Sequence, residues 1–300
     1  MDVKIPTPVV PVVDGLGREK RVGLVALVGR PNAGKSTFLN AFLGEKVSIV
    51  SQVPQTTRRL LRGIWTDHDC QIVFVDAPGV HDSDKEWNGQ INEVALRALR
   101  DADVVLRFMD ASRPWGPEED KIEAYVQASH KPIVRVWSKT DLERPDATRP
   151  FFPNTLRLCS LKEQGLKEIL EALVLQLPQG HQLYPDDVYT DQDAYLRCGE
   201  IIREHVFLMT QDELPHATFV DVVHIDEDGP LLRVHAFLCP ETDSQKIILI
   251  GSGGEKIKRI ATRSRLEIEK IFGRKCFLDL KVRVRKNWRK DKQLRSQVLC

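Results

Sequence analysis

Residues 29–36 read Gly-Arg-Pro-Asn-Ala-Gly-Lys-Ser, and they stand between the apolar run VGLVALVG and the helical pattern GKSTFLNAFLG. This is G-x-x-x-x-G-K-[ST] in the strand-to-helix setting that the motif demands. The glycines let successive backbone N–H groups converge on phosphate oxygens at a helix start, where peptide dipoles favour negative charge. Lys35 then reaches the β and γ oxygens, and Ser36 offers its hydroxyl to Mg²⁺. A plain glycine-rich turn would need neither the Lys-Ser pair nor this setting. The feature constrains the fold as well, since strand, loop and helix must follow one another as a β-α unit.

From about residue 21 the same alternation continues through CQIVFVD (70–76), VVLRFMD (104–110), IVRVWS (133–138) and LRLCS (156–160), with longer helical patterns between them. Strands spaced in this way predict an α/β domain with a mostly parallel sheet covered by helices on both faces. Gly44 should stop the first helix, and the pattern GLKEILEALVLQL should end at Pro178. The polar, turn-rich stretch 178–193 reads as a linker. Beyond it the pattern changes to a helix, AYLRCGEIIREHVFLMTQ, then the strand-like ATFVDVVHI and PLLRVHAFLC. The apolar KIILI is read as another strand. It leads through Gly251-Ser252-Gly253-Gly254 into a long basic helix, in which Ile257, Ile260, Ala261, Ser264, Ile268 and Ile271 share one face.

The chain has 300 residues, enough for two domains with separate cores, and a formal net charge of +1. That balance conceals an asymmetry: residues 255–295 hold 16 Lys/Arg against 5 Asp/Glu, a net +11, which leaves about −10 elsewhere. The basic end calls for an acidic partner. Six cysteines lie scattered without a C-x-x-C pair or metal-ligand spacing and are expected to be reduced thiols. No run approaches the length of a membrane span, and the first residues carry an early Asp and three prolines in place of a signal core. The expectation is a cytoplasmic protein.

Two further stretches bear on the phosphate loop. Asp76-Ala77-Pro78-Gly79-Val80 closes the next strongly apolar strand. An acid there can hold Mg²⁺ through water, and Gly79 can offer its N–H to a γ-phosphate; without the loop upstream it would be an ordinary turn. The second stretch, Trp137-Ser138-Lys139-Thr140-Asp141, ends the fourth run. A carboxylate at Asp141 accepts two hydrogen bonds from guanine N1–H and the 2-amino group, whereas adenine has an acceptor at N1 and no 2-amino group. Lys139 can lay its aliphatic stem across the base. Cys159-Ser160, after the next strand, can present a backbone N–H to guanine O6.

Together GRPNAGKSTFLNAFLGEKVSIVSQVPQTTR, DAPGVH, SKTD, GHQLYPDD, IGSGGEKIKRI and FLDLKVRVRKNWR resemble the Era GTPase family from about residue 22 almost to the end. The resemblance implies a flexible N-terminus (1–20), a Ras-like P-loop GTPase domain (21–178), a linker (179–193) and a smaller α+β KH domain of type II-like fold (194–295). It implies a GTP/GDP switch whose KH domain binds small-subunit ribosomal RNA near its 3′ end and which assists assembly of the small ribosomal subunit. By position, it assigns nucleotide binding to Gly29, Arg30, Pro31, Asn32, Ala33, Gly34, Lys35, Ser36 and Thr37, to 76–80, to 138–141 and to 159–160. Lys35, Thr57 and Gly79 become catalytic, and Ser36 and Thr57 become Mg²⁺ ligands. Asn32 matches an asparagine that marks potassium-stimulated hydrolysis, with K⁺ near Thr56. A monomer is expected, and peripheral association with the inner face of the cell membrane is left open.

Three departures matter. Val80 stands where many Ras-like proteins have a water-positioning glutamine, which predicts slow unassisted turnover, on the order of 10⁻⁴ to 10⁻² s⁻¹. Ser138 replaces the usual asparagine of N-K-x-D and is expected to be too short for that amide's bonds to the base and the neighbouring loop. Cys159-Ser160 replaces Ser-Ala, which matters little if only a backbone N–H is used. The Gly251–Gly254 loop fits the G-x-x-G clamp of KH domains, set between an apolar strand and a basic helix. Lys256, Lys258 and Arg259 would contact phosphates, while KNWRKDKQLR reads largely as a solvated basic face. The rival readings are an RNA-modification or other ribosome-assembly GTPase, and an RNA-binding scaffold with weak nucleotide binding.

Overall fold

The computed structural model describes residues 20–51, 53, 56–79, 86–292, 294 and 298. The N-terminal segment and Val80 lie outside them. Two compact units form: one runs to Ser48 and resumes over Arg59–Asp191, and the other comprises Ile49–Arg58 and the chain from Gln192 onward.

In the first unit β1 (Lys20–Val28) leads through the phosphate loop into α1 (Lys35–Leu43). There follow β2 (Leu61–Thr66), β3 (Cys70–Asp76), α2 (Glu86–Asp101), β4 (Val104–Asp110), α3 (Pro117–Ala128), β5 (Ile133–Ser138), β6 (Leu156–Leu158), α4 (Leu166–Gln176) and β7 (Gln179–Gly180). The sheet order is β2-β3-β1-β4-β5-β6, with β7 paired to β1. All pairings are parallel except β2 with β3 and β7 with β1. Alternate residues of β1 serve opposite faces. Val25 and Leu27 join Phe38, Phe74, Phe108 and Ile169 in one core, whereas Ala26 and Val28 join Val75, Leu99, Val105 and Ile122 in another. Both faces are therefore dry, which is why these strands read as continuous apolar runs.

β2 escapes sequence reading because LRGIWT is short, follows the polar TTRR and contains a glycine. Gly63 has a packing reason, since a Cβ there would lie 2.6 Å from Leu43 Cδ1. Residues 179–191, expected as linker, pack on the first unit. Gln71 Oε1 accepts from Leu183 N and Tyr184 N at 2.7 and 3.0 Å, and Tyr189 O accepts from Ile64 N at 2.9 Å.

The second unit contains α5 (Ala194–Met209), α6 (Leu214–Ala217), β8 (Phe219–Asp226), β9 (Leu231–Cys239), α7 (Asp243–Ile250), α8 (Glu255–Phe272) and β10 (Lys275–Val282). Its sheet is ordered β10-β9-β8, with β9 parallel to β10 and antiparallel to β8. Ile202, Val206, Leu232, Val234, Leu249, Ile260 and Ile268 form its core.

One expectation fails here. KIILI is helical, part of α7, because Thr242 and Gln245 close a complete capping box that satisfies orphan N–H groups. A short apolar run does not distinguish strand from buried helix, and the cap decides. In the tail Lys286, Lys290 and Lys292 are exposed, as expected of a solvated basic face, but Trp288 is fully buried, donates to Ala217 O at 2.9 Å and lies tilted against Phe219. Among the described residues no helix is long and apolar enough to cross a membrane.

Candidate functional site

The phosphate loop begins where β1 ends, and Gly34, with φ 93°, turns the chain into α1. Lys35 is buried, and its Nζ donates to Gly29 O at 3.2 Å and Arg30 O at 3.1 Å. Burial pushes its pKa down to about 8, with the Asp76 carboxylate pulling the other way. Asp76, fully buried at the end of β3, accepts through Oδ2 from Ser36 Oγ at 2.6 Å and Ser48 Oγ at 2.8 Å. Burial pushes this carboxyl up, offset by Lys35 and the two hydroxyls.

Asp76 Oδ1 is buried and has no hydrogen-bond partner among the described residues. Such an orphaned oxygen is costly unless something polar meets it. A depressed ammonium and an unpartnered carboxylate oxygen fit a Mg²⁺ nucleotide: phosphate oxygens would satisfy Lys35, and a metal-bound water would satisfy Asp76. No group of three or more His, Cys, Asp or Glu able to hold a metal occurs among the described residues. Phosphate and water would thus supply most of the ligands, as Mg²⁺ commonly requires.

Gly79 passes against the phosphate loop so closely that a Cβ would lie 2.4 Å from Pro31 N. Only glycine brings the 76–79 turn to that loop. Ser48 was not foreseen from sequence, since a serine in VSIVS carries no signal. Asn40 places it, accepting from Val47 N and Ser48 N at 2.9 Å each and donating to Ser48 O at 2.7 Å.

At the base loop the expectation that Ser138 is too short to reach the neighbouring loop is corrected. Its hydroxyl contacts Ala33 O of the phosphate loop at 2.7 Å and Met109 O at 3.1 Å. The loop runs close enough to the end of β5 for a short side chain to reach it, a Cβ on Gly34 falling 3.9 Å from Ser138 Cβ. A hydroxyl has one proton, so it replaces one of the amide's donors and not both. Ser138→Ala should therefore weaken GDP binding by about 1 kcal/mol, or five- to tenfold, with little change in the preference for guanine; calorimetric titration with GDP and ADP reads both quantities.

Lys139 adopts φ 57°, and its Nζ lies 2.7 Å from Asp110 Oδ2. Burial pushes the Asp110 carboxyl up, but bonds from Lys139 and Ser112 outweigh it and hold the group below its ordinary range. Asp141 follows in a single 3-10 turn, Thr140–Leu142, pinned where Thr140 Oγ1 donates to Leu158 O at 3.2 Å. Cys159 N–H is taken by Gln164 O at 3.0 Å.

Thr56 and Thr57 fall in the second unit, with the Ile49–Arg58 segment. Arg58 anchors that segment: its buried guanidinium donates to Pro215 O, His216 O and Thr218 O at 3.1, 3.0 and 3.3 Å, between the rings of Phe207 and Trp288.

The Gly251–Gly254 loop joins α7 to α8, and Gly253 and Gly254 take φ 57° and 79°. Beside it opens a groove of about 860 Å³ lined by Met209, Ile248, Ser252, Lys256, Arg259 and Arg263, among others. Helical periodicity puts Arg263 on this wall with Lys256 and Arg259, and Lys258 does not line it.

A phosphate loop on a mostly parallel sheet, a strand-end aspartate bonded to its serine and a separate unit bearing G-x-x-G beside a groove of mixed charge define a P-loop GTPase joined to a KH domain. A family model described as 50S ribosome-binding GTPase matches residues 24–139, and a KH domain model matches 213–289. GTPase Era of Treponema denticola is 43% identical over 289 residues, spanning 92% of this chain and 98% of that protein. This chain belongs to the Era family of GTPases. GTPase Era of Lacticaseibacillus paracasei is 41% identical over 281 residues, 90% of this chain and 94% of that one. A point variant of Aquifex aeolicus Era bound to GDP·AlF4⁻ superposes with a TM-score of 0.86 at 32% identity, over 91% of this chain and 97% of that one. Era in complex with MgGDPNP and nucleotides 1506–1542 of 16S ribosomal RNA also gives 0.86 at 32% identity, over 92% and 97%.

Proposed function

We propose that this chain is a GTP-hydrolysing switch whose KH domain binds the 3′ region of small-subunit ribosomal RNA and which assists small-subunit assembly. The observation that carries the reading is the cluster of buried Lys35 and Asp76 with half-buried Ser36, in a chain that also bears the groove beside Gly251–Gly254 with Lys256, Arg259 and Arg263 on its wall. The Era relative crystallised with MgGDPNP and 16S nucleotides 1506–1542 supports it.

In this reading Lys35 binds the β and γ oxygens, Ser36 and Thr57 hold Mg²⁺, and Asp76 orients a water on the metal. The metal supplies charge neutralisation on the phosphates. Gly79 N–H meets the γ-phosphate, and Asp141 and Lys139 hold the guanine. The N–H of Cys159 is engaged by Gln164 O, so Ser160 would be the residue that offers its N–H to O6. Titrating the purified chain with GDP or MgGDPNP and an oligonucleotide of that RNA sequence tests the reading. Tight guanine-nucleotide binding with an RNA affinity that depends on the nucleotide is expected; RNA affinity indifferent to nucleotide favours the scaffold alternative.

Two more outcomes follow from the same residues. Phosphate oxygens favour the charged ammonium, so nucleotide binding raises the Lys35 pKa from about 8 and takes up protons between the old value and the new. Calorimetry in buffers of different ionisation enthalpy should detect uptake at about pH 8.5 in the parent and none in Lys35→Met. Zero uptake in the parent would remove Lys35 from the phosphate site. Asn32, at φ 62°, is assigned to K⁺. Exchange of KCl for NaCl should slow turnover, and equal rates in both salts dispose of the assignment.

A further inference from the structure

Arginine is out of place in the middle of β4. Strands covered on both faces are apolar, yet Arg107 sits between Leu106 and Phe108 with no exposed surface. Its charge is met from α3. Its Nη2 pairs with Glu119 Oε2, its Nε lies 3.5 Å from Glu123, and its Nη1 donates to Phe108 O at 2.6 Å.

The other oxygen of Glu119 takes a different partner. Arg30 Nε, from the phosphate loop, is 2.6 Å from Glu119 Oε1, and Arg30 Nη1 is 3.9 Å from Glu118. One buried carboxylate therefore joins a strand arginine to a loop arginine. Arg107 and Glu119 are out of water and compensate each other, Arg30 is nearly so, and Glu118 stays partly exposed.

At the loop, the backbone of Arg30 does further work. Arg30 O and Gly29 O accept from Lys35 Nζ, and Arg30 O also accepts from Ala33 N at 3.2 Å. Where the Arg30 side chain is anchored thus bears on where these carbonyls stand and where Lys35 points. The charges of Arg107 and Glu119 also act on Lys35 directly, in opposite senses.

We propose that Glu119, outside every nucleotide motif, is a positioning residue of the phosphate site: it holds Arg30 and so fixes the loop carbonyls that aim Lys35, while Arg107 holds Glu119. The inference rests on the reading of Lys35 as a phosphate ligand.

The test is a cycle of Arg30→Ala, Glu119→Gln and their combination in the full chain, with calorimetric affinities for GDP and GMP and a thermal melt of each variant. Each single change should weaken GDP binding about tenfold or more. The combined change should weaken it no further than either alone, because both cut one connection. The loss should be larger for GDP than for GMP, a difference that general loosening of the fold would not produce. Should Glu119→Gln fail to fold, Arg107→Leu with Glu119→Leu replaces the buried pair by apolar volume and should show the same GDP loss. Unchanged GDP affinity in the Glu119 variants, fully additive losses, or equal losses for GDP and GMP overturn the proposal. Lys35→Met separates the two readings: if it binds GDP like the parent, the phosphate-site assignment itself falls, whatever Glu119 does.

Discussion

Asp141→Asn should convert the nucleotide preference from GTP to XTP, shifting the ratio of their affinities by about 10⁴-fold. The carboxylate accepts from guanine N1–H and the 2-amino group; an amide turned toward the base offers an N–H where guanine also has one, and leaves both unpaired. Xanthine has a carbonyl at that position, which the amide can satisfy. The size of the effect comes from the polar groups that the mismatch leaves unpaired more than from lost attraction. The loop is suited to a clean exchange, because a backbone bond and the Thr140 hydroxyl hold it. Leu142 N donates to Lys139 O at 2.9 Å, and Thr140 is tied to Leu158. Fluorescence titration with GTP, XTP and ATP reads the swap, and an unaltered ratio of GTP to XTP removes Asp141 from the base site.

Gly253→Asp combined with Gly254→Asp should raise the Kd for a 3′ ribosomal RNA oligonucleotide by about a hundredfold or more. Both glycines are in the left-handed region, where aspartate is among the better tolerated residues. A Cβ at either position meets no atom within 4 Å. The carboxylates meet no clash, the left-handed backbone strains each modestly, and two negative charges stand where the proposed clamp would hold a phosphate. A modestly lowered melting temperature with lost RNA binding is the expected pair of results; full RNA affinity would refute the clamp. Lys256→Ala and Arg259→Ala should act more mildly, each reducing the salt slope of binding by about one. Lys258→Ala should change it least, because Lys258 is not part of the groove wall.

Those residues also mark the boundary of what a sequence reveals. The phosphate loop, the strand-helix alternation around it, the stop at Gly44 and the buried face of α8 were all legible. Each depends on backbone conformation or periodicity within about twenty residues, so local composition carries the signal. The α7 segment shows the limit of that rule. Its apolar run suits strand or helix, and the capping box, though written in the sequence, settles the matter only once Thr242 and Gln245 are seen to bond each other.

What the tertiary structure decided are the partnerships between distant residues. Ser138 looked too short until the fold brought Ala33 beside it. Arg107 looked like an anomaly in a strand until α3 set Glu119 against it and against Arg30. Trp288, Arg58 and the segment Ile49–Arg58 acquired their surroundings in the same way. Sequence alone determined the nucleotide class and the two-part architecture, because those rest on motifs whose geometry is local. The support for the phosphate loop was decided by the fold, because a buried charge has no meaning until its counter-charge is in place.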